Sequence, residues 1–410
     1  MTKYILAIDV GGTKIHLGLM RIDAADGSSS ALRSQGSGAV QLVDELRIPA
    51  SQYRSLGAFI VHWTQAVCAR PAAAGFQLPD AIAAIAIGAA GPVRNQYCQL
   101  TNLSWAIDAR SLGREIRESR SQLRTASAEA GKLCDQLAGL PTERICVMND
   151  LEAIGFAIAA LEDEISAGAA SGSKDNRLSP STDARYFTVR HGSATDSGSA
   201  GNAAILAPGT GLGEAILFSS SADGRLSPSA SEGSHASFAP TTAIEIELLN
   251  FLLTRFPHVS FERVAGGRDG FRNILDFMVA SGRLNAAQEL VVNCRDVVDC
   301  GPPVLSAAEA GHPEAEAVLA LYLQILGSEA GNLALKSLSK RGLWLAGGIP
   351  PRILPWLTGE RKLPGDRGFL GAMTAKGRFH DLLATIPVRV LTDSGAALRG
   401  AALGAYLRMR

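Results

Sequence analysis

The sequence has no excess of charge of either sign. Its 410 residues include 39 Lys and Arg against 39 Asp and Glu, which gives a formal net charge of zero. A neutral chain argues against a protein that coats nucleic acid or an anionic membrane through a broad basic surface. A local anion site stays compatible with this balance. We therefore expect neither a nucleic-acid partner nor a membrane partner.

The sequence also lacks paired cysteines. Its six cysteines form no Cys-x-x-Cys pair and no metal-binding spacing with histidine. We expect a reduced, cytoplasmic setting in which these residues act as small hydrophobic side chains. They are Cys68, Cys98, Cys134, Cys146, Cys294 and Cys300.

Long apolar runs are scarce as well. The N-terminal stretch "MTKYILAIDVGGTK" has a short apolar run that ends in a charge, which fits neither a signal peptide nor a membrane span. We expect no other apolar stretch to cross a bilayer.

The length favours two α/β domains, because one hydrophobic core seldom serves 410 residues. We expect a small N-terminal domain over residues 1–148, completed by a C-terminal helix at 395–410. A larger domain then spans residues 149–394. It contains a Ser/Gly-rich insertion near 166–202, interpreted as a long surface loop with one short strand, "RYFTVRH".

Hydrophobic patterns place further elements along the chain. Strands are expected within 81–93, 144–150 and 202–219, at the start of 342–354 and at the start of 387–409. Helices are expected over 56–70, directly after residue 150, over 308–339 and at the C-terminus.

Two glycine-rich turns between apolar strands are candidate phosphate sites. In "IDVGGTK", Asp9 precedes Gly11, Gly12 and Thr13, and in "APGTGLGEA" the turn holds Gly209, Thr210, Gly211 and Gly213. Glycines let backbone N–H groups approach an anion, and Asp9 could hold a hydrated Mg²⁺. Each turn alone also fits a plain β-hairpin. Neither has the P-loop pattern or the strand-to-helix setting of a dinucleotide fingerprint.

Polar side chains that could handle a hydroxyl group occur in three places. In "VMNDLEA", Asn149 and Asp150 end a strand, so Asp150 fits either a helix N-cap or a general base for phosphoryl transfer. In "SPSASEGSHASFAP", Glu232 and His235 fit either a solvated loop or a site for neighbouring sugar hydroxyls. Glu262, in "HVSFERVAGG", fits either an ion pair with an arginine such as Arg263 or a third hydroxyl contact.

Seven motifs together resemble the bacterial-type glucokinase family of the sugar kinase, Hsp70 and actin superfamily. They are "IDVGGTK", "LTNLSWAID", "MNDLEA", "APGTGLGEA", "SEGSHASFAP", "HVSFERVAGG" and "LAGGI", in the family's order. The resemblance covers the chain except for the Ser-rich segment. It implies a two-domain, ribonuclease-H-like fold of the actin and hexokinase type, with glucose and ATP in the cleft between the domains. It also implies transfer of phosphate from ATP to the 6-hydroxyl of D-glucose.

The resemblance also implies roles for individual residues. Asp150 would be the general base, and Asp9 would hold Mg²⁺ through water. The sugar would contact Asn102, Asn149, Asp150, Glu232, His235 and Glu262. The nucleotide would contact Asp9, Gly11, Gly12, Thr13, Lys14, Gly209, Thr210, Gly211, Gly347 and Gly348. The family implies a homodimer, and the absence of the cysteine motif of ROK sugar kinases implies no structural zinc.

Three positions depart from the family pattern. Lys14 stands where many relatives have Asn, and it contacts either phosphate or solvent. Ser234 stands where many have Gly. The pair Gly266–Gly267 replaces a more usual Ser-Gly pair.

Other functions stay open at this point. A kinase for mannose, fructose or an N-acetyl hexosamine would carry the same motifs, and polyphosphate or ADP are alternative donors. A non-catalytic sugar sensor would need a DNA-binding module, and no helix-turn-helix extension is visible. An actin-like assembly ATPase would keep both glycine-rich turns but would not need the Asn149–Asp150 and Glu232–His235 pairs.

Overall fold

The chain forms two compact units in the computed structural model. Unit 1 comprises Met1–Lys174 and Ser394–Arg410, and unit 2 comprises Asp175–Asp393. The structure describes residues 2–11, 14–23, 40–70, 78–100, 103–122, 127–170, 185–192, 201–363 and 367–409.

Unit 1 is an α/β unit with eight strands and five helices among its described residues. The strands are β1 (Thr2–Val10), β2 (Lys14–Asp23), β3 (Val40–Pro49), β4 (Ala84–Ala89), β5 (Val93–Arg94), β6 (Tyr97–Gln99), β7 (Ala106–Asp108) and β8 (Ile145–Asn149). The helices are α1 (Leu56–Cys68), α2 (Leu112–Ser121), α3 (Ala128–Ala138), α4 (Asp150–Ala170) and the C-terminal helix Ala396–Arg408.

The main sheet of unit 1 has the order β3-β2-β1-β4-β8. Strands β1, β2 and β3 form an antiparallel meander, and β4 and β8 join β1 in parallel. The parallel strands therefore end at one edge of the sheet, where Val10, Ala89 and Asn149 lie in register. Asp9 and Asn149, two of the residues that the sequence predicts for the site, lie at or next to this edge.

Both faces of this sheet are buried, as the nearly continuous apolar run "YILAI" predicts. Leu6 and Ile8 of β1 face a core shared with α1, α2 and α3. Ile5 and Ala7 alternate with them and face a second core, which the C-terminal helix closes through residues such as Leu398. Unit 1 is thus built from both ends of the chain.

Unit 2 contains six strands and nine α-helices among its described residues. The strands are β9 (Tyr186–Arg190), β10 (Ala203–Pro208), β11 (Leu212–Ser219), β12 (Leu226–Ser231), β13 (Gly342–Leu345) and β14 (Val388–Leu391). The helices are α5 (Ala243–Leu253), α6 (Phe261–Ala265), α7 (Gly267–Ala280), α8 (Glu289–Cys294), α9 (Gly301–Glu309), α10 (Pro313–Ser337), α11 (Leu354–Leu357), α12 (Gly368–Thr374) and α13 (His380–Thr385).

The sheet of unit 2 repeats the plan of unit 1 and adds one strand. Its order is β12-β11-β10-β13-β14-β9. Strands β10, β11 and β12 form an antiparallel meander, and β13 and β14 continue it in parallel. Strand β9 closes the edge in antiparallel orientation. The predicted α/β class and ribonuclease-H-like core in two units are confirmed.

Helix α10 is the central helix of the unit 2 core. It is long and apolar enough to cross a membrane by length and composition, so the expectation that no stretch has this character is wrong. The window that meets this test is 78% buried within the protein, as in the core helix of a globular unit. Helix α10 begins at Pro313. Proline lacks a backbone N–H, but an N–H in the first turn has no partner within the helix, so proline is tolerated there.

The element boundaries differ from the sequence expectation in two places. The predicted helix over 308–339 is interrupted, because Gly311 adopts a left-handed backbone conformation (φ 82°) between α9 and α10. The loop expected from residue 166 begins later, because α4 continues to Ala170. Helix α4 packs on the C-terminal helix, so the division between the units falls at residue 174, whereas the sequence suggested residue 148.

Candidate active site

Unit 1 places the first glycine-rich turn at the end of a β-hairpin. Asp9 is the penultimate residue of β1, and the backbone N–H of Gly11 donates a 3.0 Å hydrogen bond to the carbonyl of Lys14. The Lys14 side chain begins β2 and is exposed. Gly12 and Thr13 lie outside the described residues, so their predicted phosphate contacts stay predictions.

Asp9 and Asp150 are brought together across the sheet. Asp9 lies in register with Gly88 of β4, and a Cβ built on Gly88 would lie 3.7 Å from the Cα of Asp150. Burial, and to a smaller extent the negative charge of Asp150, raise the pKa of Asp9 to about 7. Two carboxylates held together in a partly buried position are suited to receive a cation.

Asn149 acts as the cap of helix α4. Its Oδ1 accepts hydrogen bonds from the backbone N–H groups of Leu151 at 2.9 Å and Glu152 at 3.4 Å. Its Nδ2 donates a 3.1 Å hydrogen bond to the carbonyl of Gly91. Asn149 therefore takes a capping role that the sequence suggested for Asp150, and Asp150 Oδ1 itself accepts a 2.9 Å hydrogen bond from the N–H of Leu151. A sugar contact by Asn149 stays a prediction.

Unit 2 places the second glycine-rich turn between β10 and β11. The N–H of Gly209 donates to the carbonyl of Gly211 at 2.9 Å, which closes the turn. The carbonyls of Gly209 and Thr210 accept 3.0 Å hydrogen bonds from the N–H groups of Gly267 and Arg268 at the start of α7. A Cβ on Gly267 would lie 2.1 Å from the Gly209 carbonyl oxygen. This close approach requires glycine at position 267, and at position 266, where the family pattern has Ser, a Cβ would lie 2.5 Å from the carbonyl oxygen of Glu262.

The predicted adenosine turn packs on the same glycine-rich turn. Gly347 has φ 92°, and a Cβ there would lie 2.7 Å from the carbonyl oxygen of Pro208. In the described part of the chain, no atom lies within 4 Å of a Cβ built on Gly209 or Gly348. The turns are therefore tightly packed on one side and open on the other, which suits the approach of a ligand to the backbone.

Glu232, His235 and Glu262 form one polar cluster in unit 2. His235 Nε2 lies 3.7 Å from Glu232 Oε2 and 3.9 Å from Glu262 Oε2. All three side chains are partly or largely exposed, with 67%, 56% and 32% of the Glu232, His235 and Glu262 side chains accessible. Two carboxylates and an imidazole at this spacing can accept and donate several hydrogen bonds to adjacent hydroxyl groups.

Glu262 links this cluster to the glycine-rich turn. Its Oε2 accepts a 3.3 Å hydrogen bond from the N–H of Leu212, and a Cβ on Gly211 would lie 2.7 Å from the same oxygen. The expected alternative was an ion pair with Arg263, but the Arg263 guanidinium stacks over the Phe256 ring at 3.9 Å. Glu262 thus lies between the predicted sugar contacts and the predicted phosphate contacts.

The structure groups the predicted residues within each unit. Unit 1 brings together Asp9, Gly11, Lys14, Asn149 and Asp150 at the end of its parallel strands. Unit 2 brings together Gly209, Thr210, Gly211, Glu232, His235, Glu262, Gly347 and Gly348. Asn102 lies outside the described residues. In the described part of the chain, no three His, Cys, Asp or Glu side chains form a metal-binding group.

One supporting residue was missed by the sequence interpretation. His258 Nε2 hydrogen-bonds the backbone carbonyl of His235 at 3.0 Å, and the N–H of Phe261 donates to the carbonyl of Ala236 at 3.1 Å. These bonds fasten the turn that carries Glu232 and His235 to helix α6. His258 is the first residue of the motif "HVSFERVAGG". Its nearness to Glu262 in the sequence is the observation that could have identified it as a supporting residue.

The fold and the two residue groups define a class. Two α/β units share one strand plan, and each presents a glycine-rich turn beside carboxylates. This is the architecture of sugar kinases and actin-like ATPases.

Comparison with known proteins identifies the family within this class. A family model described as Glucokinase matches residues 6–123 and 132–407. The glucokinase of Synechocystis sp. is 30% identical over 97% of this chain and 96% of its own length. That of a Nostoc species is 31% identical over 77% of this chain and 79% of its own length. The chain belongs to the glucokinase family.

Solved structures support the same fold. A glucokinase from an Antarctic psychrotroph has a TM-score of 0.66 at 23% identity, with 99% of each chain covered. A glucokinase from Balamuthia mandrillaris, solved in complex with glucose, has a TM-score of 0.67 at 19% identity, with 99% of this chain and 94% of that chain covered.

Proposed function

We propose that this protein is a glucokinase that transfers the γ-phosphate of ATP to the 6-hydroxyl of D-glucose, giving glucose 6-phosphate. The observation that carries the proposal is the Glu232–His235–Glu262 cluster, hydrogen-bonded through Glu262 to a glycine-rich turn. This cluster fits a ligand covered in hydroxyl groups, beside a turn that fits phosphate. Membership of the glucokinase family supports glucose as that ligand.

Asp150 is proposed as the general base. It begins helix α4 at the end of β8, next to Asp9, where a carboxylate can take the proton of an attacking hydroxyl. In this proposal Glu232, His235 and Glu262 bind the sugar and orient it, with Asn102 and Asn149 as further contacts. Positioning of the two substrates should supply most of the acceleration.

The nucleotide is proposed to bind along the glycine-rich turns. Gly11, Gly12, Thr13 and Lys14 would contact phosphate from unit 1, and Gly209, Thr210 and Gly211 from unit 2. Gly347 and Gly348 would contact the adenosine. The open space beside Gly209 and Gly348 supports this assignment, because a ligand could reach the backbone there.

Magnesium is the proposed metal cofactor, held by Asp9 through water. The residues fit the ion, because Asp9 and Asp150 are neighbouring carboxylates, and burial together with the charge of Asp150 raises the pKa of Asp9. A bound Mg²⁺ would neutralise charge on the transferred phosphate. No structural zinc is proposed.

We also propose, on the family resemblance alone, that the protein works in the cytoplasm, in glycolysis, as a homodimer. Sedimentation of the purified protein at several concentrations would test the dimer. A monomer at every concentration would contradict it.

The function is tested by a coupled assay with Mg·ATP and a panel of hexoses. We expect turnover that strongly favours glucose, and we expect Asp150→Asn to lose about 10²–10⁴-fold in kcat while keeping glucose affinity, since a general base contributes that range. Asp135→Asn is the matched control, because Asp135 is an exposed partner of Arg120 in the same unit.

Other outcomes of this assay would change the proposal in defined ways. Turnover that favours mannose, fructose or an N-acetyl hexosamine would change the proposed substrate and leave the proposed mechanism unchanged. An active Asp150→Asn variant would remove Asp150 from its role. Sugar binding without turnover would indicate a sensor, and sugar-independent ATP hydrolysis with filaments would indicate an assembly ATPase.

A further inference from the structure

Two buried glutamates in unit 2 have no part in the proposed reaction. Glu214 lies on β11 and Glu329 on helix α10, and their relative exposures are 1% and 0%. Among the described residues, neither Glu214 Oε1 nor Glu329 Oε1 has a hydrogen-bond donor. Buried carboxylate oxygens without donors are costly, and a proton held between the two groups would remove that cost.

The surroundings indicate which of the two glutamates carries the proton. Glu329 Oε2 accepts a 2.8 Å hydrogen bond from Asn332, and Lys336 Nζ lies 3.7 Å from Glu329 Oε1. These partners place an amide donor and a positive charge beside Glu329. Burial, together with the nearby Glu329 carboxylate, raises the pKa of Glu214 to about 8. Glu214 is therefore the neutral member of the pair at pH 7.

Glu214 lies directly beneath the turn that carries Glu232 and His235. It pairs in register with Ser231, whose hydroxyl accepts a 3.0 Å hydrogen bond from the N–H of Gly233. A Cβ built on Gly233 would lie only 2.2 Å from Glu214 Oε2. The Glu214 carboxyl group therefore packs against the backbone of the residue that follows Glu232.

We propose that Glu214 is a positioning residue for sugar binding: as a neutral acid sharing one proton with Glu329, it supports the Gly233 backbone and so orients Glu232 and His235. This inference rests on the proposed glucokinase function and deepens it. Loss of the shared proton leaves two carboxylates side by side in the core. Their repulsion pushes the Glu214 side chain against Gly233 and displaces the turn.

Several charged groups surround the pair and enter its pH dependence. Helix α10 contributes Glu329 and Lys336, and the turn that Glu214 contacts at Gly233 carries Glu232 and His235. Lys376 approaches from beyond α12, with Nζ 2.7 Å from Asn332 Oδ1, and the charges of Glu329 and Glu245 act on it. The charge of Lys336 lowers the pKa of Glu214, but burial and the Glu329 carboxylate outweigh this effect.

The test is the glucose affinity of wild type and Glu214→Gln between pH 6 and pH 9, measured by calorimetry without nucleotide. A glutamine keeps the shape and a donor toward Glu329 but has no proton to lose. We expect the wild-type Kd to rise about tenfold by pH 9, since the competent fraction falls tenfold for each pH unit above the controlling pKa. The Kd of Glu214→Gln should stay nearly constant over the same range.

A control variant and a second measurement complete the test. Glu247→Gln changes an exposed carboxylate of unit 2, paired with Arg283, and should keep the wild-type pH profile. Infrared difference spectra of an Asp9→Asn protein between pH 7 and pH 9 should show the loss of a protonated carboxyl band. This measurement needs no change at Glu214, so it applies even if Glu214→Gln fails to fold.

The outcomes separate this inference from the proposed function. Wild-type protein that phosphorylates glucose, with a Glu214→Gln affinity profile identical to wild type, would overturn the positioning role and leave the function intact. Absence of the infrared band would overturn the shared proton. Wild-type protein that neither binds nor phosphorylates glucose would overturn both proposals.

Discussion

Asp9 and Asp150 are neighbours in unit 1. Burial raises the pKa of Asp9, and the negative charge of Asp150 raises it further. The two residues come from different strand ends, and the parallel register of β1, β4 and β8 brings those ends together. One carboxylate is proposed to take a proton from the sugar and the other to hold a hydrated metal ion. Their proximity contributes to a pH dependence of the stability of unit 1, which can be measured without substrates.

Asp9→Asn should flatten the pH dependence of stability between pH 4 and pH 7. The folded-state pKa of Asp9, about 7, lies above its ordinary value of 3.8, so the folded protein holds a proton that the unfolded chain has lost. The free energy of unfolding should therefore fall as pH rises through this window, by at most about 1.4 kcal/mol per pH unit for one proton. Urea denaturation at each pH, without magnesium, measures the slope. Equal slopes for wild type and variant would contradict the prediction.

Glu232→Gln should weaken glucose binding with little effect on kcat. Glu232 is exposed beside His235, and a neutral amide is a weaker acceptor for sugar hydroxyls than a carboxylate. A hydrogen bond to a charged group contributes about 1.5–3 kcal/mol, so we expect KM for glucose to rise about tenfold or more. Steady-state kinetics beside the surface control Glu247→Gln measures this. An unchanged KM would remove Glu232 from the sugar contacts.

Gly211→Ala should raise KM for glucose although the substitution lies in the phosphate turn. Its new Cβ would lie 2.7 Å from Glu262 Oε2, so Glu262 must leave the N–H of Leu212. Loss of that charged hydrogen bond should raise KM about tenfold. In a Glu262→Ala background the same substitution should have little further effect, because the colliding atoms are gone. Additive effects in this double-mutant cycle would show that Gly211 acts independently of Glu262.

Asn149→Ala should destabilise unit 1. The variant removes the acceptor for the N–H groups of Leu151 and Glu152, and loss of a helix cap costs about 0.5–2 kcal/mol. Asn149→Ser should recover most of this stability, because serine also caps helices. Chemical denaturation measures the difference. If KM for glucose rises equally in both variants while only the alanine variant loses stability, Asn149 also contacts the sugar.

Local sequence patterns were sufficient to predict the two hairpins and to place several candidate site residues at strand ends. Asp9, Asn149 and the glycines around 209–211 lie at strand ends, and apolar strands that end in glycine or polar residues are visible in a sequence. The two-unit α/β architecture follows from these elements and the family resemblance.

The features that sequence reasoning missed depend on contacts between distant segments or on weak patterns. Strand β3 has mixed polar and apolar residues along its exposed side, so its pairing with β2 was not anticipated. The hydrogen bond from Asn149 Nδ2 to the carbonyl of Gly91 joins residues far apart in the sequence, and no local pattern reports it. Glu214 and Glu329 lie on separate elements, and each alone resembles an ordinary surface glutamate in the sequence.

The C-terminal helix has a consequence for the order in which the protein is made. Ala153 of α4 approaches Gly400 so closely that a Cβ on Gly400 would lie 1.7 Å from the Ala153 carbonyl oxygen, so this helix is an integral layer of unit 1. A ribosome delivers that layer only after it has translated all of unit 2. Unit 2 can fold as a continuous segment during synthesis, whereas one apolar face of the N-terminal sheet stays uncovered until the helix Ala396–Arg408 emerges. Nascent chains stalled before residue 396 should therefore be engaged by chaperones at unit 1.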